Sequence, residues 1–151
     1  MSRLAGALAV AAGAVLLTGA GTLAPLAATG EVHVAVTGLR DTRGQILACI
    51  TALPRAFPDC AKDPAAHKLA VPARGTVALD FTGIAPGRYA IALIHDENGN
   101  GRMDMRLFMP REGYGFSRDA AVRLGPPSFA SAAFAVGAEA QRQTIRVRYM
   151  M

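Results

Sequence analysis

Apolar residues recur at every second position in short runs, and that habit limits what this chain can become. Val32, Val34 and Val36 alternate with His33 and Ala35, and Val77, Leu79 and Phe81 with Ala78 and Asp80. Tyr89, Ile91 and Leu93 alternate with Ala90 and Ala92, and Ala132, Phe134 and Val136 with Ala133 and Ala135. Ile145, Val147 and Tyr149 alternate with Arg146 and Arg148, and further runs lie at Gln45 to Thr51 and Lys68 to Val71. Successive side chains of a strand point to opposite faces, so period-two runs bounded by Gly, Pro, Asn and Asp specify strands. The expected fold is all-β with about seven strands. One sheet cannot cover its own apolar face, whereas two sheets packed together can, so a single antiparallel β-sandwich is expected. Two long stretches carry no such pattern. Ala52 to His67 holds Pro54, Pro58 and Pro64 and has room for a short helical turn; the other runs from Met105 to Ser128.

The start of the chain follows a different rule. Arg3 precedes an uncharged stretch from Leu4 to Ala28, built mostly of Ala, Leu, Val and Gly. A basic start, an apolar run and small residues at a cut site describe a secretory signal. Thr18-Gly19-Ala20 and Leu26-Ala27-Ala28 both offer cleavage positions, and the second is favoured, giving a signal peptide over 1–28 and one β-sandwich domain over 29–151. Gly13, Gly19, Gly21 and Pro25 interrupt the run, which argues against a spanning helix, so no transmembrane segment is expected after cleavage. The expected location is periplasmic or secreted. Cys49 and Cys60 are the two cysteines, and an even count in an exported chain favours a disulfide. The formal charge of +5 falls to about +4 without Arg3, and its basic residues are scattered, so nucleic acid is not an expected partner.

The strongest local signal is His95-Asp96-Glu97-Asn98-Gly99-Asn100-Gly101-Arg102-Met103-Asp104. Oxygen-bearing side chains fall at alternate positions, Asp96, Asn98 and Asn100, followed by Gly101 and then Asp104. In a calcium loop that spacing turns ligands one, three and five toward one ion, the glycine at six permits the sharp turn, and a backbone carbonyl serves at seven. Arg102 stands at seven and Asp104 at nine. Leu107 stands where the closing bidentate glutamate of a helix-loop-helix site belongs, so the loop is not an EF-hand. Asp96, Asn98, Asn100, the Arg102 carbonyl and Asp104 supply about five oxygens where calcium takes six to eight, which implies weak binding. The same letters also build a metal-free turn, because Asn-Gly pairs accept positive φ and Asx side chains satisfy local N–H groups.

Longer runs carry a resemblance. Phe81-Thr82-Gly83-Ile84-Ala85-Pro86-Gly87-Arg88-Tyr89 resembles the turn and strand of transthyretin-like and carboxypeptidase-regulatory-like β-sandwiches. With His95 to Gly101, then Pro110-Arg111-Glu112-Gly113-Tyr114-Gly115-Phe116-Ser117 and Gly125-Pro126-Pro127-Ser128-Phe129, the ordered set is similar to the bacterial family called domain of unknown function 2141. The resemblance implies an exported bacterial protein with an immunoglobulin-like or transthyretin-like sandwich, and it assigns no activity. Leu107-Phe108-Met109-Pro110 departs from the shorter Gly-Ile/Val-Pro-like approach expected there; its bulk would cover the loop or make an apolar contact.

Other residues invite roles. Tyr114 and Phe116, set between glycines, would stack a glycan or another flat ligand if exposed, and plug the open end of the sandwich if buried. His95 lies beside Asp96, where it would support a metal ligand or bind a softer metal itself, but it is also in phase with Ile91 and Leu93, as a hydrogen-bonded residue at the core edge would be. A hydrolase-like centre would need two of Asp96, Asp104, Glu112 and His95 to meet in a cleft. Ser117, Ser128 and Ser131 lack a nucleophile-elbow context. The expectation is therefore a non-enzymatic exported module acting in binding or envelope structure, its loop steadied by weakly held Ca²⁺, with a glycan-binding alternative.

Overall fold

The computed structural model describes residues 28–150. The expected signal peptide lies, but for its last residue, outside the described residues. The described residues form ten strands: β1 (Gly30–Thr37), β2 (Gln45–Thr51), β3 (His67–Pro72), β4 (Val77–Ile84), β5 (Gly87–Asp96), β6 (Met105–Arg106), β7 (Met109–Pro110), β8 (Gly113–Phe116), β9 (Phe134–Val136) and β10 (Gln141–Arg146). The mostly-β expectation holds. The three strands beyond the expected seven, β6, β7 and β8, lie in the stretch that shows no pattern. Two-residue strands are too short to display a period, and β8 alternates glycine with aromatics. A 3-10 turn at Pro54–Ala56 sits in the proline-rich stretch. Ala132, expected at the start of a strand, ends the short helix α1 (Phe129–Ala132), whose first turn Ser128 caps by accepting the Ser131 N–H. No helix among the described residues is long and apolar enough to cross a membrane.

The strands form several sheets. One has the order β10-β1-β4; a second runs β3-β2-β5-β8, with β9 pairing the start of β5; β6 and β7 make a small hairpin. The runs predict antiparallel pairing throughout, and one pair departs from it. β10 lies parallel to β1, with Val32 beside Gln141 and Thr37 beside Arg146. Parallel neighbours need a long crossover, and here the whole intervening chain provides it.

Alternation decides which side chains meet. Val32, Val34 and Val36 of β1, Leu79 and Phe81 of β4 and Ile145 of β10 share one buried cluster with Ile46 and Ile50 of β2 and Ile91 and Leu93 of β5. Fully burying such side chains stabilises by about 1.5–3 kcal/mol each. β5 is apolar on both faces, and its reverse side explains why. Ala90, Ala92, Tyr114 and Phe116 form a second cluster with Cys49, Cys60 and Ala132, roofed by Phe57 and Phe129 from the two long connecting stretches. Cys49 and Cys60 stand at disulfide distance, with S–S 2.08 Å and Cα–Cα 6.4 Å, and tie the first of those stretches to β2.

β8 shows how small residues direct the closure. A Cβ on Gly113 would stand 2.4 Å from both Val147 Cγ1 and Tyr149 Cε1, and one on Gly115 would stand 2.5 Å from Ile145 Cγ2. The glycines admit the end of β10 and the segment after it to the inner face, and Tyr114 and Arg148 exchange backbone hydrogen bonds at 3.0 and 2.9 Å. Tyr114 and Phe116 consequently face the other way.

Candidate functional site

The loop after β5 begins on a buried carboxylate. Asp96 is fully buried, and Gln45 pairs with it across β2 and β5. Its Oδ2 accepts Gln45 Nε2 at 2.9 Å and the Gly101 N–H at 2.8 Å, and its Oδ1 accepts the Asn100 N–H at 3.0 Å. Burial pushes the Asp96 carboxyl up, but the Gln45 amide and the Gly101, Asn100 and Gly99 N–H groups outweigh it and hold the group below the usual carboxylate range. Gly44 fits beneath: its φ is +66°, and a Cβ there would stand 1.9 Å from the Asp96 carbonyl oxygen.

The other sequence-selected residues close the loop on itself. Asn98 Oδ1 accepts the Asn100 N–H at 3.0 Å, and Asn100 Oδ1 accepts the Arg102 N–H at 3.1 Å. The amide nitrogens face Asp104: Asn98 Nδ2 lies 2.7 Å from Oδ2, and Asn100 Nδ2 lies 3.0 and 2.9 Å from the two oxygens. Those amides, Asn100 first, hold the Asp104 carboxyl below its ordinary value. Arg102 points outward, its Nε 3.6 Å from Asp104 Oδ1.

Glu112 joins this loop from beyond the β6–β7 hairpin, which no spacing template reveals. It is buried, its Oε2 accepts the Asp104 N–H at 3.2 Å, and its Oε1 has no hydrogen-bond partner. Burial raises the Glu112 carboxyl above the ordinary range; the Asp104 N–H, and more weakly the Glu97 N–H, oppose this, and the charges of Asp96 and Asp104 add to it. Three acidic groups thus surround the loop, one with a free buried oxygen.

His95 serves structure. Its Nε2 lies 2.8 Å from the Arg43 carbonyl oxygen, which only accepts, so Nε2 carries the proton and Nδ1 accepts from the Tyr149 hydroxyl at 2.7 Å. Among the described residues, Asp41, His95 and Glu97 bring potential ligand atoms within 4.8 Å of one another. Both carboxylates there are engaged by arginines: Arg43 holds Asp41 through its backbone N–H, Nε and Nη2, and Arg40 and Arg43 hold Glu97. That cluster is a closed ion-pair network beside the acidic loop.

The aromatic pair is where a plug would sit. Tyr114 and Phe116 are 8% and 6% exposed, and Phe116 meets Phe57 edge-on at 5.7 Å. The glycines of β8 turn both rings into the second cluster, where each also lines a groove of about 430 Å³ beside the β6–β7 hairpin.

A mostly-β chain of several sheets with a buried-carboxylate loop is the class this geometry defines. Residues 34–144 match the family described as uncharacterized protein conserved in bacteria, DUF2141, and the chain belongs to that family. No curated protein and no solved structure matches it.

Proposed function

We propose that this chain is an exported, non-enzymatic binding module of the bacterial envelope, periplasmic or secreted. Its sheets are read as one β-sandwich, and its 96–104 loop is steadied by a weakly held calcium ion. The signal-like start, the family's occurrence in bacteria and the core shared by two sheets support the reading. The observation that carries the ion is Glu112, a buried carboxylate with a free oxygen beside Asp104. A hard cation there would offset the negative charge that Asp96 and Asp104 place near Glu112 and use the orphan oxygen. It would have to draw the three carboxylates together, because they are not among the groups whose ligand atoms lie within 4.8 Å of one another. Asp104 and Glu112 would supply carboxylate oxygens, with Asp96, Asn98, Asn100 and the Arg102 carbonyl completing the set. Turning the Asn oxygens toward an ion would cost their bonds to the Asn100 and Arg102 N–H groups, consistent with a dissociation constant of about 10⁻⁴–10⁻³ M. Calorimetry and thermal melts with calcium or EDTA test this. At calcium tenfold above the dissociation constant, stability should rise by about 1.4 kcal/mol. Superimposable melts and no heat at millimolar calcium would sink the ion.

A further inference from the structure

The β6–β7 hairpin carries an apolar surface that the core does not explain. Leu107 and Phe108 form its two-residue tip and are 79% and 96% exposed. Leu124 is wholly exposed, and Met105, Met109 and Met150 are 40–56% exposed. Leu124, these methionines and Phe108 border a groove of about 430 Å³ with Tyr114 among its lining. Both tip residues adopt positive φ, 48° and 68°, where a hairpin of this kind ordinarily carries Asn, Asp or Gly. Bulky side chains are thus held in a disfavoured conformation with nothing packed over them. Exposed apolar surface of this kind marks an interaction face.

Charge identifies the partner. Arg106 precedes the tip, Arg111 follows the hairpin and Arg123 lines the groove; all three are exposed and form no ion pair among the described residues. A second copy docked through the same face would bring like charges together. A single amphiphile lodged in the groove would leave the projecting Leu107 in water. A flat anionic surface with an apolar interior satisfies both features. We propose that the β6–β7 hairpin is a membrane-docking element: Leu107, Phe108 and Leu124 enter the interface of an anionic bilayer while the three arginines meet headgroup phosphates. The proposal rests on the envelope-module reading and names its partner.

The chain has no tryptophan, so Phe108→Trp installs a single tryptophan at the tip, excited selectively over the three tyrosines at the red edge of its absorption. With phosphatidylglycerol-containing vesicles its emission should shift to the blue and the protein should co-sediment; phosphatidylcholine vesicles should do much less. Each Arg→Gln change should weaken partitioning about five-fold, and Leu107→Ser with Phe108→Ser about tenfold or more. These residues are exposed, so the variants should melt like the parent. Unchanged emission with anionic vesicles overturns the proposal. So does vesicle binding that survives both sets of substitutions, since it would arise elsewhere in the chain. Dimerisation through the tip without vesicle binding, or uptake of monomeric fatty acid alone, overturns it in favour of those occupants. Cell fractionation is scored separately: a cytoplasmic location sinks the envelope reading, whereas failed vesicle binding by an exported protein sinks the docking element alone.

Discussion

The Tyr149 hydroxyl donates to Nδ1 of His95 at 2.7 Å, tying the end of the chain to the end of β5. The same hydroxyl accepts the Arg40 N–H at 3.2 Å, and the Arg40 guanidinium lies 4.4 Å over the Tyr149 ring. Tyr149→Phe keeps the ring and removes both hydrogen bonds, leaving a buried imidazole nitrogen without a donor. The expected loss is about 1–3 kcal/mol, read as a lower urea midpoint at unchanged m. An unchanged midpoint would show that water replaces the hydroxyl.

The Cys49–Cys60 link spans 11 residues and anchors the proline-rich stretch over the second cluster. Loop-closure entropy gives a bridge of this length about 2–3 kcal/mol. Reduction, or replacement of both cysteines by serine, should lower the melting temperature correspondingly. Equal melts with and without reductant would mean that the roof is held by Phe57 and its neighbours alone.

Gly113→Ala tests the closure of the segment after β10 against β8. Its Cβ has no room beside Val147 and Tyr149, so overpacking should cost about 1–3 kcal/mol. Gly137→Ala is the matched control, since a Cβ there meets nothing within 4 Å. Comparable denaturation midpoints for the two variants would contradict the close approach at β8.

These residues also show what could be read before folding. The runs of β1, β4 and β5 are legible because alternation is local and both faces of a strand are set by its own residues. The parallel partnership of Val32 with Gln141 is not, because register depends on residues more than a hundred positions away. The Gly-Tyr-Gly-Phe run announces alternation in β8, but which side the aromatics take depends on Ile145, Val147 and Tyr149 needing the glycine side. The 96–104 loop is legible as an oxygen-rich turn. Glu112 is not, since it reaches Asp104 only after the hairpin folds back.

Glu112 makes the most specific prediction, because its sign differs from that of the neighbouring acids. Burial lifts its folded-state carboxyl above the ordinary glutamate range. An acid raised on folding is held in its protonated form more firmly by the native state than by the unfolded chain. Its contribution is therefore most favourable at low pH and is lost as pH rises from the unfolded value through the folded one. Asp96 and Asp104 run the other way: their depressed values give stability that is present above the unfolded carboxylate range and lost as pH falls through the folded values. Wild-type stability mixes both trends, but the difference between Glu112→Gln and wild type isolates one. In EDTA the variant should be more stable by about 1 kcal/mol near neutral pH, with the gain vanishing in acid. In calcium the order should reverse, because the amide removes a carboxylate ligand from the proposed ion. A difference flat in pH would remove the buried charge from the account; a gain near neutral pH that calcium leaves intact would keep the buried charge and remove the ion.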